Sequence, residues 1–212
     1  MASFDAVLFD FGGVFTPSPL HGLREAAREL GIPPEVAFAT VFGGYDEDTD
    51  HPWHRLERGE ISVEDAMAAI TALGADAGHE LDPIAMLTRG FGGSFIREDV
   101  VDLVRDVRDA GLRTAMVTNN IREFSDSWRA LLPVAELFDL VVDSCEEGVR
   151  KPDPRFFEIA LERLGGVAPE RGVFLDDAPG NVRSAQALGL HAIEVGAEHK
   201  PAMDKLRALL AA

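Results

Sequence analysis

Two regimes of apolar and polar spacing divide this 212-residue chain. Ala6-Val7-Leu8-Phe9 is an unbroken apolar run, the pattern of a strand buried on both faces of a parallel sheet, and it stops at Asp10. Beyond it the spacing becomes helical. Leu20, Leu23, Ala27 and Leu30 fall on one helix face until Gly31, and Pro33-Pro34 opens a second helix through about Phe42. Gly43 to Pro52 is an acidic, glycine-bearing loop, and Trp53 to Glu57 is a short helix. Ser62 caps a helix to Leu73 with Asp65 placed to reciprocate, Asp82-Pro83 starts another, and Gly90 to Ser94 ends the section. No strand pattern occurs between residues 16 and 96.

From Arg97 helix and strand alternate. Val100, Val101, Val104 and Val107 mark one face of a helix from Arg97 to Ala110. Strands follow at Leu112–Val117, Leu140–Val142, Val173–Leu175 and His191–Val195. Helices are expected at Ser125–Leu131, Pro154–Leu164, Asn181–Leu188 and Lys205–Leu210. Such alternation implies an α/β fold, a Rossmann-like doubly wound parallel sheet with helices on both faces. Residues 1–15 and 97–212 would form that sheet domain. Residues 16–96 would form an all-helical insertion, hinged by Thr16-Pro17-Ser18-Pro19 on one side and by the glycines on the other.

Composition narrows the function. The net charge of −17 argues against a nucleic-acid partner, and an anionic substrate would need a locally positive pocket. One cysteine, Cys145, excludes internal disulfides and thiolate metal clusters, and its apolar neighbours suggest a buried, inert thiol. No signal peptide or membrane-spanning run is evident, so the expectation is a cytoplasmic protein with no membrane partner.

The chemistry-bearing residues cluster where strands end. Asp10 follows the first strand, and Gly12 and Gly13 remove side chains where the chain turns or lets a ligand touch its backbone. Thr118-Asn119-Asn120 end the second strand with groups able to hold phosphoryl oxygens. Lys151 follows the third strand; it is one of three lysines against 17 arginines, a compact ammonium suited to a tight anion site. The fourth strand runs into Asp176-Asp177. Parallel strands share a carboxyl edge, so all four groups meet there. Adjacent carboxylates repel unless a cation joins them, and with Asp10 they make a hard oxygen site suited to Mg²⁺. Taken singly, Asp10 and Lys151 could equally be solvated loop charges.

This ordered set resembles the haloacid dehalogenase (HAD) superfamily of phosphatases and phosphotransferases. FDFGGV, VTNN, SCEEGVRKPDP and FLDDAPGN are closest to the subgroup found in soluble epoxide hydrolases and fused to some acyl-CoA dehydrogenases. The resemblance implies that the insertion is a cap and that Asp10 is a nucleophile forming an aspartyl-phosphate. It implies Mg²⁺ held by Asp10, the Gly12 carbonyl and Asp177 with Asp176 close by, and Asn181 orienting the metal shell. Thr118, Asn119, Lys151 and the Gly13 backbone would face a small phosphorylated metabolite. One departure stands out. The family's second aspartate, which protonates the leaving group, is Gly12 here. Asp46, Glu47, His51 and His54 of the insertion loop are candidate substitutes, weighed against a plain solvated loop; Phe42 and Trp53 are read as packing or pocket wall. Two other readings remain: a catalytically weakened module binding a phosphometabolite or protein, and a haloacid dehalogenase.

Overall fold

The computed structural model describes residues 4–91 and 95–211. Five parallel strands form one sheet: β1 (Ala6–Phe9), β2 (Arg113–Thr118), β3 (Leu140–Asp143), β4 (Gly172–Asp176) and β5 (His191–Glu194), in the order β3-β2-β1-β4-β5. The chain builds outward from β1 to β3, then returns to the other side of β1 with β4. The strand order therefore reverses between β1 and β4, where open α/β sheets hold their ligands. Register places Phe9 beside Leu175, so the residues that follow, Asp10 and Asp176, emerge together.

Among the described residues the insertion carries five helices: α1 (Pro19–Glu29), α2 (Pro34–Phe42), α3 (Pro52–Glu57), α4 (Val63–Asp76) and α5 (Pro83–Phe91). The others are α6 (Glu98–Asp109), α7 (Ser125–Arg129), α8 (Val134–Leu137), α9 (Ser144–Glu147), α10 (Pro154–Arg163), α11 (Pro179–Leu188) and α12 (Lys200–Ala211). The sheet is doubly wound. Val7, Phe9, Met116, Leu175 and Ile193 pack against α6, α7 and α12 on one face; Ala6, Leu8, Val117 and Phe174 pack against α10 and α11 on the other. Every residue of β1 is fully buried, as its unbroken apolar run requires.

The helical insertion has its own core, including Leu23, Ala27, Val41, Phe42, Trp53, Leu56, Met67 and Ile70. Phe42 and Trp53 meet edge to face at 4.8 Å and serve as packing. The Ser62 hydroxyl accepts from the Asp65 amide at 3.1 Å, the expected cap. Leu30, placed by spacing on the buried face of α1, is instead 51% exposed, because the helix ends there. Of the glycine-rich hinge Gly90–Ser94, residues 92–94 lie outside the described residues. Where the insertion returns, the Arg97 amide donates to the Phe15 carbonyl at 2.8 Å, and its buried guanidinium donates to the carbonyls of Gly13 at 2.5 Å and Val14 at 3.0 Å.

Candidate active site

The ends of β1, β2 and β4 and the loop after α9 deliver groups to a cavity of about 70 Å³ lined by Asp10, Gly12, Tyr45, Asn119, Lys151, Asp177, Ala178 and Asn181. Carboxylate oxygens of Asp10, Asp176 and Asp177 lie within 4.8 Å of one another. Lys151 stands among them. Its ammonium reaches Asp10 Oδ1 at 2.8 Å, Asp176 Oδ2 at 2.7 Å and the Val117 carbonyl at 2.8 Å, with the Phe174 ring 5.5 Å beneath.

One ammonium does not balance three carboxylates, two of them buried and Asp177 half-buried, and the proton affinities record it. Burial raises the Asp10 carboxyl, Lys151 opposes, and Asp176 and Asp177 reinforce, leaving it near pKa 8. Asp177 is pushed up to about 7, first by burial and then by Asp176, with a Ser18 hydrogen bond pulling the other way. Burial alone would discharge Lys151, but Asp10 and Asp176 outweigh it and raise its pKa.

The two members of the aspartate pair differ. Asp176 is saturated, accepting from Lys151 Nζ, from the Ala178 amide at 2.7 Å and from Asn181 Nδ2 at 3.0 and 3.1 Å. Asp177 packs against Gly13, where a Cβ would overlap its carboxyl group; the φ of +75° also favours glycine there. Asn181 is 2% exposed, and its Oδ1 has no hydrogen-bond partner among the described residues. An orphaned acceptor beside three carboxylates that share one ammonium fits a hydrated divalent cation, whose water would supply the missing donor.

Other sequence candidates take different places. Asn119 exchanges two bonds with the Lys151 backbone, accepting from its N–H at 2.8 Å and donating to its carbonyl at 2.9 Å, so the amide fixes the lysine. Thr118 is buried at the end of β2, its hydroxyl 3.5 Å from the Asn119 carbonyl. None of the four insertion-loop candidates lines the cavity. His51 is held between the Thr40 carbonyl at 3.2 Å and the Trp53 amide. His54 accepts from the Thr49 amide at 3.0 Å, and burial, aided by Arg150, pulls its pKa down to about 3. Asp46 pairs with Arg183 at 2.6 Å, and the Glu47 carbonyl lies 3.4 Å from Arg150 Nη1. Cys145 is buried with its thiol pushed up to about 12, chiefly by burial, and is inert as expected.

Sequence reasoning missed Tyr45, which brings the insertion into the cavity. Its hydroxyl donates to Glu57 Oε1 at 3.0 Å, and Arg150 donates to Glu57 Oε2 at 2.7 Å. Only the position of Arg150 beside Lys151 offered a signal.

The family model of haloacid dehalogenase-like hydrolases matches residues 4–189. The chain belongs to that family. Mouse acyl-CoA dehydrogenase family member 10 is 33% identical over 98% of this chain, which corresponds to 19% of that much longer protein. The sesquiterpene phosphatase astK of Aspergillus oryzae is 31% identical over 89% of this chain and 88% of its own length. Among solved structures, a HAD-family enzyme from Bacteroides thetaiotaomicron, crystallised with magnesium and inorganic phosphate, shares the fold. It has a TM-score of 0.62 and 18% identity, over 92% of this chain and 96% of that one. The chain is thus a HAD-like hydrolase whose relatives include phosphatases, on an α/β Rossmann-like fold. No helix among the described residues is long and apolar enough to cross a membrane.

Proposed function

We propose that this chain is a Mg²⁺-dependent phosphatase acting on a small phosphorylated metabolite through an aspartyl-phosphate on Asp10. The observation that carries this reading is the charge imbalance at the β1/β4 edge, where three carboxylates lie within 4.8 Å of one another and one ammonium bridges two of them. Asp10 and Asp177, with the Gly12 carbonyl, would hold Mg²⁺, Asp176 standing close by and Asn181 orienting the ion's shell. When bound, the ion withdraws charge from the phosphoryl oxygens and keeps the carboxylates ionised at neutral pH.

The residues then divide the work. The Asp10 oxygen attacks phosphorus in line as the ester bond breaks, and water later cleaves the acyl phosphate to release orthophosphate. Lys151 offers an ammonium to the equatorial oxygens, held in place by Asn119 and Asp176. Thr118, Asn119 and the Gly13 backbone complete the phosphoryl-facing rim. The insertion, residues 16–96, acts as a cap over the cavity, with Tyr45 as one wall. With Gly12 at the usual acid's position, no carboxylate there protonates the leaving group.

Orthophosphate release from a panel of phosphorylated metabolites, with and without Mg²⁺, tests this. Activity should need Mg²⁺ and fall by at least about 10⁴-fold in Asp10→Asn. Gly12 favours a second reading, a weakened module that binds such ligands without turnover. Binding of a phosphometabolite by a wild-type chain that releases no phosphate would support it. Metal-independent halide release from a 2-haloacid would refute both.

A further inference from the structure

Glu57 of α3 and Arg150 of the loop after α9 are 1% and 0% exposed, and the chemistry above uses neither. They meet where the insertion rests on the sheet. A buried ion pair is weak support for stability, so its placement calls for another reason. Both carboxylate oxygens of Glu57 are engaged. One accepts from Arg150 Nε at 2.7 Å, the other from the Tyr45 hydroxyl at 3.0 Å, and the Arg150 guanidinium lies 5.3 Å from the Tyr45 ring centre. One side chain of the insertion therefore grips a wall of the cavity and the residue covalently joined to Lys151. Asn119 fixes the Lys151 peptide from the β2 side and Ser184 holds the Pro152 carbonyl that follows, while Arg150 is the handle on the residue before it.

We propose that Glu57 is a positioning residue: without touching substrate, it places Lys151 through Arg150 and Tyr45 through its hydroxyl, so the phosphoryl site is complete only when the insertion is seated. This rests on the phosphatase reading above.

Calorimetric titration of the full chain with orthophosphate in the presence of Mg²⁺ tests it, with thermal melting as a check on folding. Glu57→Gln should weaken orthophosphate by about tenfold, the usual scale for groups that orient a reacting residue. Tyr45→Phe should cost about threefold, one neutral hydrogen bond. Arg183→Gln cuts a different contact of the insertion, the exposed pair with Asp46, and should stay within about twofold. In a Lys151→Met background, Glu57→Gln should add no more than about threefold, the part carried by Tyr45. Unchanged affinity in Glu57→Gln overturns the proposal, as does an equal loss in Arg183→Gln or a full further loss without Lys151. If Glu57→Gln fails to fold, Arg150→Lys should weaken orthophosphate at least threefold, about half the tenfold effect in free energy, and unchanged affinity there overturns the proposal equally. A wild-type chain that takes up no orthophosphate with Mg²⁺ sinks the phosphatase reading as well; normal wild-type uptake with an unaffected Glu57→Gln sinks only this role.

Discussion

Arg150 and Lys151 are consecutive, both buried, and face opposite ways. Arg150 meets one buried carboxylate, Glu57, with the part-exposed Asp48 at 3.5 Å, so at the seam with the insertion charge is nearly matched. Lys151 faces Asp10 and Asp176 with Asp177 behind them, and there anionic charge exceeds cationic by two. A matched pair can only hold surfaces together. An unmatched cluster persists in the folded state only if protons or a cation complete it, which is what a site for metal and phosphoryl group requires. The surplus, more than the presence of buried charge, separates chemistry from architecture here.

The sharpest way to break that contrast is to remove the lone ammonium. Lys151→Met should lower kcat/KM for any accepted phosphate by about 10²–10³-fold, whereas Arg183→Gln at the insertion's exposed rim should not. Comparable losses would erase the distinction. Next comes Gly13→Ala, which sets a methyl group into the Asp177 carboxyl at a φ of +75°. It should cost about 1–3 kcal/mol of stability and weaken Mg²⁺ in calorimetry; unchanged Mg²⁺ affinity would remove Asp177 from the metal site. Gly12 is different, because its φ is not positive and a side chain is sterically admissible to the backbone. Gly12→Asp should raise turnover at least about tenfold if the absent acid limits the rate, while an unaltered rate would mean another group already donates.

The smallest effect is a pH dependence exposed by chelation. Folded-state values near 8 for Asp10 and 7 for Asp177 lie above the ordinary 3.8, so the native chain binds more protons than the unfolded one across that interval. Stability of the metal-free chain therefore falls as pH rises from about 4 to about 8. Melting temperatures with chelator should decline over that window, and Mg²⁺ should flatten the slope. A metal-free curve that rises instead would show the carboxylates to be compensated already.

The sheet was legible because its strands are continuous apolar runs and α6 repeats valine at helical intervals. The four-residue helices α8 and α9 were not, since a single turn has no period to detect, and α12 begins at Lys200 rather than Lys205 because Pro201 masks its start. Asp10 and the aspartate pair announce themselves because each ends a strand and parallel topology gathers strand ends, and Lys151 because it is a rare lysine in the loop beyond β3. Glu57 gave no such sign. Its partner Arg150 is 93 residues away, and nothing local distinguishes it from the solvated glutamates of the insertion. The Asn119 amide shows the complementary limit, for residue type could not say that it is spent on the lysine backbone.

Arg97 ties the point where the insertion departs to the point where it comes back: its amide bonds Phe15 and its guanidinium bonds Gly13 and Val14. To the sheet, those five helices are therefore joined at one backbone crossing, with the Glu57–Arg150 and Asp46–Arg183 pairs as further contacts. A graft of a different helical segment between residues 16 and 96 would leave the turn after Asp10 stapled as it is, but would have to bring its own carboxylate to Arg150 to replace Glu57.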